Sequence, residues 1–440
     1  MNMSTSTEFV TWFRSAAPYI RTFRGQTFVI AFDGDVIEEG NFTELTHDIN
    51  LLVSVGVKVV LVHGARAQIE RSLKSKKLKS YFSDHQIRVT DEETLTCVKE
   101  ANGRLRLEIE ALLSMGLPST PLAGSAIRVT SGNFVIAQPK GIINGVDMLY
   151  SGDVRKIRHE AIVQKLEDGE LVLVSPLGYS VTGEIFNLTH EDVATEVAIA
   201  IKANKLIYLC DQTGISNKQD NLITELTTSE VKALAKRKNK TPPQDLFWQG
   251  LIKASEEGVS RIHLIDQKIN GGILLELFTH EGIGTMISRD RLEAIRTATQ
   301  DDIGGILSLI DPLESKGVLV KRPRETLETE IQKFTVVVHD GLIIGCVALN
   351  PFIEEQIGEL ACLAVHPDFQ NTGVGERLLK VVETNCTKQK LKHVFVLTTQ
   401  SSHWFLENGF KKTVLAGLPK EKAKLYNYQR NSKIYNKIIK

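Results

Sequence analysis

The sequence predicts an α/β protein with two domains, each built around its own sheet. The first indication is length, because 440 residues exceed what one ordinary hydrophobic core holds. The second is a repeated strand–loop–helix pattern in the N-terminal part, which is typical of an open, mostly parallel sheet covered on both faces. The third is a buried strand, a glycine-containing loop and an amphipathic helix in succession between residues 359 and 387.

The composition is that of a globular protein without bulk charge. Hydrophobic residues make up 42% of the chain and charged residues 24%. Lys+Arg and Asp+Glu both number 53, which argues against a nucleic-acid partner held by net charge. The five cysteines are scattered and form no CxxC, so neither a disulfide framework nor a metal site is expected. With no run of apolar residues long enough for a bilayer, we expect a cytoplasmic protein without a membrane partner.

Residues 1–20 are predicted to form an amphipathic helix used in oligomerisation. Apolar residues recur at helical spacing over 8–20, and Pro18 interrupts the pattern near its end. Such a helix either packs on its own domain or docks on a neighbouring subunit, and the pattern alone leaves both open.

Residues 21–288 are predicted to form the first domain. Its buried strands are expected at 27–32, 57–62, 170–174 and 206–210, with a helix at 42–54 and β-hairpins between 127 and 152. The turns Asp33-Gly34 and His63-Gly64 follow the first two strands. Because ligands of open α/β sheets bind beyond the carboxyl ends of the strands, these turns are candidate binding loops.

This layout resembles the amino-acid kinase family, in particular acetylglutamate kinase, over about residues 20–287. Residues 258–265 and 273–287 resemble the C-terminal signature of its arginine-inhibited members. The resemblance implies an allosteric arginine site made by Tyr19, His263, Glu276, Gly282 and Gly284. A carboxylate such as Glu276 can pair with a guanidinium through two hydrogen bonds, and glycines would leave backbone carbonyls free to approach the ligand. Taken alone, Glu276 could equally be a carboxylate on a helix surface.

Departures from the kinase pattern predict a regulatory domain without kinase activity. Ala31 stands where the resemblance expects a lysine on the first strand, and Phe247 stands where it expects a second one. Asp33 follows and would repel phosphate. Phosphoryl transfer depends on fixed positive charge, so we expect neither useful ATP binding nor phosphorylation.

Residues 289–293 are predicted to be a linker, and residues 294–440 a second α/β domain. A short strand near 294–298, a helix from residue 303 to about 310 and a hairpin over 334–349 come first. The strand and loop around residues 359–375 come next, then a helix beginning near Glu376. A strand at 394–398 and a helix at 402–407 complete the order.

The loop before that helix has the features of a pyrophosphate cradle. Two glycines allow close backbone approach, and the first turn of a helix presents free N–H groups at the positive end of its dipole. A strand-to-helix turn without a ligand is the alternative. The order strand, Val-x-Pro, Gln-x-x-Gly-x-Gly, helix resembles the acetyl-coenzyme A loop of the GNAT N-acetyltransferases. That resemblance implies acetyl-CoA as cosubstrate and no permanently bound cofactor, with the contacts made by Leu363, Val365, Gln370, Asn371, Thr372, Gly373, Val374 and Gly375.

Acetyl transfer to an amine requires a base, a polarised carbonyl and a stabilised departing thiolate. The resemblance implies Glu359 as the base and Thr398 as the acid. The alternatives are a solvent-facing glutamate at a strand end and a threonine that only packs. Cys362 is expected to line the acceptor pocket rather than act as a nucleophile, because it lies on a buried strand.

The acceptor is predicted to carry two carboxylates. Arg322, in a basic cluster, together with Arg430 and Ser432 near the C-terminus, matches the substrate positions implied by the resemblance. Each charge alone is more often a surface group, so the pair of arginines carries this inference.

Together the two halves resemble the classical bacterial N-acetylglutamate synthases. The resemblance implies transfer of acetyl from acetyl-CoA to L-glutamate, the first step of arginine biosynthesis, with feedback inhibition by L-arginine and a homo-oligomer, expected to be a hexamer. Three other interpretations stay open: a GNAT enzyme for another amine, an arginine sensor with an inert transferase half, and an active kinase, which Ala31 and Phe247 disfavour.

Overall fold

The computed structural model describes residues 3–38, 42–83, 87–115, 127–217, 219–237, 242–279, 282–290, 293–339, 341–424 and 426–439. The chain divides into two compact units, Met1–Asp290 and Arg291–Lys440, called unit 1 and unit 2 below. The predicted linker includes positions 291 and 292, which lie outside the described residues. Within the described ranges, no helix combines the length and apolar character needed to cross a membrane.

Unit 1 alternates helices and strands through most of its length. Its helices are α1 (Met3–Phe23), α2 (Asp35–Glu38), α3 (Phe42–Ser54), α4 (Arg66–Ser75), α5 (Glu92–Leu113), α6 (His159–Glu167), α7 (His190–Ala200), α8 (Thr228–Arg237), α9 (Pro242–Glu256) and α10 (Gly272–Phe278). Its strands are β1 (Thr27–Phe32), β2 (Lys58–His63), β3 (Tyr81–Phe82), β4 (Arg88–Val89), β5 (Val129–Ser131), β6 (Val135–Pro139), β7 (Ile142–Ile143), β8 (Val146–Asp147), β9 (Gly152–Ile157), β10 (Leu171–Val174), β11 (Leu177–Tyr179), β12 (Ile185–Asn187), β13 (Lys205–Cys210), β14 (Glu225–Thr227), β15 (Arg261–Asp266) and β16 (Thr285–Ser288).

The main sheet of unit 1 confirms the predicted mostly parallel architecture. Among the described residues, eight strands follow the order β14-β16-β15-β13-β1-β2-β10-β5, and the β15–β16 pair is antiparallel. Alternate residues of β1 enter cores on opposite faces: Val29 and Ala31 pack in one, and Phe28 and Ile30 in the other. This two-sided burial explains the continuous apolar runs from which the strands were predicted.

The predicted hairpin region between residues 127 and 152 is divided among three sheets: β5 joins the main sheet beside β10, β7 pairs with β8, and β6 belongs to a second sheet with the order β12-β11-β6-β9. Its last strand, β9, begins at Gly152, where the predicted hairpin region ends. A Cβ at Gly152 would lie 2.7 Å from Cβ of Phe186, so only a glycine allows this close approach between strands.

The N-terminal helix is longer than predicted. It continues past Pro18 to Phe23 rather than ending at Ile20. The physical reason is tertiary: Phe23 is buried and packs its ring against Phe28 and Phe278, at centroid distances of 5.5 and 5.4 Å. That packing outweighs the backbone hydrogen bond that Pro18 cannot donate.

Unit 2 contains a single mixed sheet with helices on both faces among its described residues. Its helices are α11 (Ile303–Ser315), α12 (Arg324–Glu330), α13 (Val374–Lys388), α14 (Ser402–Glu407) and α15 (Lys420–Lys424). Its strands are β17 (Glu293–Thr297), β18 (Phe334–His339), β19 (Leu342–Phe352), β20 (Ile357–Val365), β21 (His393–Thr398), β22 (Lys411–Thr413) and β23 (Lys433–Ile438). The strand order is β17-β18-β19-β20-β21-β23-β22.

The sheet of unit 2 opens between its two parallel strands. β20 and β21 pair from Ile357 to Leu360, opposite His393 to Val396. Beyond Leu360, β20 continues to Val365 without pairing to β21, and β21 continues to Thr398. The neighbouring pairs of this sheet are antiparallel, so this opening is the place where a ligand can enter between strands.

Candidate functional site

A β-bulge shapes one wall of the opening. On β20, Cys362 and Leu363 occupy the space that faces only Val347 on β19, because Ala361 pairs with Ala348 and Ala364 with Cys346. Cys362 has a φ of +50°, a left-handed conformation that is rare for a residue with a side chain. Bulges leave one residue unpaired and turn its side chain, and they are common beside active sites. The sequence contains no glycine here that would have indicated the bulge.

The glycine-containing loop leads from β20 into α13. Asn371 and Gly373 both have left-handed φ values, +63° and +83°, and Gly373 is the N-cap of the helix. The helix therefore begins at Val374, two residues before the predicted start at Glu376, because the left-handed glycine lets the chain turn earlier. The first N–H groups of α13 have no acceptor within the helix and point into the loop.

Side chains of the loop hold its shape. Gln370 Nε2 donates to the carbonyl oxygen of Val365 at 3.4 Å, and Thr372 Oγ1 donates to that of Phe369 at 2.7 Å. Leu363 and Val365 pack against the core beneath α13.

The second glycine has a packing role that sequence reasoning missed. A Cβ at Gly375 would lie 3.0 Å from Cζ2 of Trp404, whose Nε1 donates to Glu376 Oε1 at 3.0 Å. Gly375 therefore allows α14 to approach the start of α13. This requirement holds with or without a ligand in the loop.

Glu359, the predicted base, is buried on β20 and bonded at both oxygens. Lys422 Nζ lies 2.8 Å from Oε1, and Asn350 Nδ2 donates to Oε2 at 3.1 Å. The carboxylate side chain is 6% exposed, which excludes the alternative of a solvent-facing glutamate. Sequence reasoning missed both partners, although Asn350 lies directly opposite Glu359 on the antiparallel strand β19.

Thr398, the predicted acid, ends β21 and is buried. Its Oγ1 accepts a hydrogen bond from the backbone N–H of Ser401 at 3.1 Å, which leaves its own O–H free to donate elsewhere. Glu359 pairs with Phe395 and shares its face of the sheet, whereas Thr398, three residues later, belongs to the other face. The side chains of Glu359 and Thr398 therefore lie on opposite faces of the sheet.

The predicted acceptor residues converge on the loop after α11. Arg322 Nη1 contacts Cys362 Sγ, and its backbone N–H donates to Glu314 Oε1 at 3.0 Å. Arg430 Nη2 donates to the carbonyl oxygen of Val318 at 2.5 Å, while its buried Nε has no hydrogen-bond partner among the described residues. Arg430 is thus tied to the loop that contains Arg322, although 108 positions separate the two residues in the chain.

Cys362 and Ser432, the other two predicted acceptor residues, are both buried. Burial raises the pKa of the Cys362 thiol, and the charge of Arg322 only partly opposes this effect. A thiol that resists ionisation is a poor nucleophile, which supports the pocket-lining interpretation. Ser432 is buried, and its carbonyl oxygen accepts a hydrogen bond from Tyr426 Oη at 2.7 Å.

In unit 1, Glu276 is the centre of the predicted arginine site. His263 Nδ1 lies 2.7 Å from Oε1, and the N–H groups of Ile283 and Gly284 donate to Oε2 at 2.7 and 2.8 Å. Burial alone would raise the pKa of Glu276, but these hydrogen bonds together lower it below its usual value. The carboxylate is therefore ionised and buried, which excludes the alternative of a helix-surface position.

The two glycines of the predicted arginine site have a packing role that sequence reasoning missed. A Cβ at Gly282 would lie 2.7 Å from Glu276 Oε2, and one at Gly284 would lie 2.2 Å from the carbonyl oxygen of Leu264. Gly282 also has a left-handed φ of +61°. The loop thus presents N–H groups to Glu276. Close packing on Glu276 and on Leu264 therefore also requires glycine at these two positions, and the expectation that they leave carbonyl oxygens free for a ligand stays a prediction.

Tyr19 and a buried lysine border the same region. Tyr19, on α1, is partly buried with its ring centroid 5.9 Å from that of Phe23. Lys205 is 3% exposed, and its Nζ lies 3.5 Å from His263 Nε2 and 5.0 Å from the Phe23 ring centroid. Burial, followed by the charge of Lys205, lowers the pKa of His263 to about 4, so this histidine is neutral. Sequence reasoning missed Lys205 because it opens an otherwise apolar strand.

The loops after β1 and β2, where the resemblance expects a kinase site, are crowded by side chains. They line a cavity of about 160 Å³ beyond the carboxyl ends of β1 and β2. A Cβ at Gly64 would lie 2.6 Å from Asp33 Oδ1 and 2.9 Å from His190 Nδ1, so these side chains already crowd the loop. Ala31 is buried in the core, and Phe247 packs edge-on against Tyr208 at 5.1 Å. Apolar packing occupies both positions at which a kinase would need a lysine.

Comparisons with known proteins agree with this division of the chain. The amino acid kinase family matches residues 26–266, and the acetyltransferase (GNAT) domain matches residues 330–412. The chain is 48% identical to a protein named amino-acid acetyltransferase from Ralstonia nicotianae, over 98% of this chain and 95% of that protein. It is 49% identical to one from Buchnera aphidicola, over 98% of both.

Two solved structures are similar over nearly the whole chain. The crystal structure of N-acetylglutamate synthase from Neisseria gonorrhoeae complexed with coenzyme A and L-arginine is 37% identical, with a TM-score of 0.87, over 98% of this chain and 99% of that one. The same synthase complexed with coenzyme A and N-acetyl-glutamate covers the same shares at the same identity, with a TM-score of 0.62.

Proposed function

Because the chain belongs to the family of amino-acid acetyltransferases, we propose that it transfers the acetyl group of acetyl-CoA to the amine of L-glutamate. The product, N-acetyl-L-glutamate, would enter arginine biosynthesis at its first step, and L-arginine would inhibit the enzyme by feedback. The observation that carries the proposal is the buried carboxylate of Glu359 beside an open strand pair, with Arg322 in contact with the same strand at Cys362.

In the proposed reaction, acetyl-CoA enters between β20 and β21, with its pyrophosphate at the loop before α13. The N–H groups from Asn371 to Gly375 and the positive end of the helix dipole suit an anion there. The amine attacks the thioester directly, and Glu359 accepts its proton, either directly or through water. Thr398 donates a proton or a hydrogen bond to the departing thiolate from the other side of the opening.

Recognition of the acceptor rests on Arg322 and Arg430. A dicarboxylic amino acid needs cationic donors, and guanidinium groups bind carboxylates through two parallel hydrogen bonds. The Nε–H of Arg430 has no acceptor among the described residues, and a carboxylate oxygen of the substrate could accept its hydrogen bond. Ser432 and Cys362 would line the remaining wall of the pocket.

Inhibition by L-arginine is proposed to act at the site in unit 1. Glu276 supplies a buried negative charge, and His263, Gly282 and Gly284 lie against it. Tyr19 would contribute to the site from α1. Arginine bound there would shift an equilibrium between states of the enzyme that differ in activity. The coenzyme A and L-arginine complex of the similar synthase supports a site for each ligand in this family. A hexamer and a cytoplasmic location complete the proposal.

The other interpretations are weaker. An acceptor without carboxylates would give Arg322 and Arg430 no role in binding, and an inert transferase half would give the buried, hydrogen-bonded Glu359 no role in catalysis. A kinase is opposed by the apolar packing of Ala31 and Phe247 and by the carboxylate of Asp33 beside Gly64.

The decisive experiment measures CoA release from acetyl-CoA with a panel of amino acids, each with and without L-arginine. Release with L-glutamate that arginine suppresses is the expected result. CoA release with L-glutamate that arginine does not suppress would support the acetyl transfer and contradict the arginine site in unit 1. No release with L-glutamate, under conditions in which acetyl-CoA binds, would reject the proposed acceptor.

A further inference from the structure

A lysine stands beside the proposed base. Lys422, on the short helix α15, places Nζ 2.8 Å from Glu359 Oε1, and its side chain is 30% exposed whereas that of Glu359 is 6% exposed. Asn350 holds the second oxygen of the carboxylate. Glu359 therefore keeps one fixed partner if Lys422 moves, and Lys422 is the partner that solvent and substrate can reach.

The chemistry of the acceptor brings its α-carboxylate close to the base. In an α-amino acid the amine nitrogen and the α-carboxylate carbon are bonded to the same atom, so they lie about 2.5 Å apart. An amine that delivers its proton to Glu359 therefore brings its α-carboxylate to within one or two hydrogen-bond lengths of that base. The group that recognises the α-carboxylate must lie close to Glu359.

The two arginines lie farther along the strand. Arg322 contacts Cys362, which follows Glu359 by three residues on β20. Arg430 donates to Val318, in the loop that contains Arg322. We expect these positions to suit the side-chain carboxylate of a glutamate whose amine faces Glu359 and to leave the α-carboxylate to a donor nearer the base.

We propose that Lys422 is a specificity-determining residue that binds the α-carboxylate of the acceptor. This inference rests on the proposed function. An ammonium group has three donors, so Lys422 can bond to Glu359 and to a substrate carboxylate at the same time. Leu418 and Ala423, on either side of it in the chain, pack in a small core with Phe395 and fix the backbone of this segment. The pairing also explains how a buried carboxylate is stabilised before the substrate arrives.

The test compares three acceptors: L-glutamate, L-isoglutamine, whose α-carboxylate is an amide, and L-glutamine, whose side-chain carboxylate is an amide. In Lys422→Met, the preference in kcat/KM for L-glutamate over L-isoglutamine should fall by about 10- to 100-fold, the value of one hydrogen bond to a charged group. The preference over L-glutamine should stay as in the unsubstituted enzyme. The KM for acetyl-CoA should also stay unchanged, which shows that the fold is intact.

Lys424→Met is the matched control, because Lys424 lies two positions away on α15 and is exposed. It should change neither preference, and Lys422→Arg should keep most of the preference for L-glutamate over L-isoglutamine. If Lys422→Met lowers kcat/KM equally for both acceptors, Lys422 acts only on Glu359 and the inference is overturned. Failure of the unsubstituted enzyme to acetylate L-glutamate at all would overturn the proposed function together with it.

Discussion

Two buried glutamates, one in each unit, show how the same side chain is prepared for different tasks. Glu276 is held by a buried, neutral histidine on β15 and by two backbone N–H groups of the loop before β16. Glu359 is held by an amide and by a lysine whose side chain is partly exposed. Neutral donors fixed by the backbone and the core suit a permanent negative charge in a ligand site. A partner that can move suits a carboxylate that has to accept a proton.

The largest effect is expected from Glu359→Gln. The substitution keeps the shape of the side chain and its contact with Asn350 but removes the ability to accept a proton, so kcat should fall by about 10²- to 10⁴-fold. Acetyl-CoA should still bind with its usual affinity. Steady-state kinetics and titration calorimetry measure the two quantities, and unchanged turnover would remove Glu359 from the role of base.

The next largest effect is expected in the pH dependence of the free energy of unfolding of unit 1. The pKa of His263 is lowered to about 4 from 6.5, so between these values the unfolded chain binds a proton that the folded chain does not. The free energy of unfolding should therefore be intact above pH 6.5 and fall with decreasing pH, by about 3 kcal/mol in all by pH 4. The lowered pKa of Glu276 acts in the same direction, since its stabilisation is lost on acidification.

Urea unfolding at several pH values between 7.5 and 4.5 measures this dependence. Burial also lowers the pKa of His63 to about 4, so the contribution of His263 is the difference between the unsubstituted protein and His263→Gln. The substituted protein should show the shallower slope. Equal slopes would contradict the assignment of a neutral His263 beside Glu276.

Glu276→Ala should show most directly that Glu276 and Glu359 have different roles. Activity without arginine should be unchanged, while the arginine concentration needed for half-inhibition should rise at least about tenfold, because a charged hydrogen-bond partner is lost. The N–H groups of Ile283 and Gly284 would lose their acceptor, so the free energy of unfolding should fall by about 1–3 kcal/mol. Unchanged inhibition in a folded variant would move the arginine site elsewhere.

The smallest effect is expected from Asn350→Ala. Asn350 donates one hydrogen bond to Glu359, and its loss should lower kcat by about 2- to 10-fold with little change in either KM. A drop as large as that of Glu359→Gln would mean that Asn350 contacts the reacting groups itself. That result would weaken the distinction between a fixed and a movable partner of Glu359.

Local patterns were sufficient for many individual elements. The strand β1 and the helices α3 and α14 were predicted from apolar runs and turn residues, and the structure confirms them. These features depend on interactions within a few residues, such as helix periodicity or the conformational freedom of glycine. The errors lie where distant residues decide, as in α1, whose end depends on the packing of Phe23 against Phe278.

The sequence by itself determined the two α/β units, the glycine loop before α13 and the residue types available for chemistry, because each of these is written in short-range patterns. Only the tertiary structure decided which of those residues meet. It formed the bulge at Cys362, the pairing of Lys422 with Glu359 and the contact of Lys205 with His263. The physical reason is that partners of a buried charge are chosen by proximity in the folded core, and in these pairs they are separated by 58 or more positions in the chain.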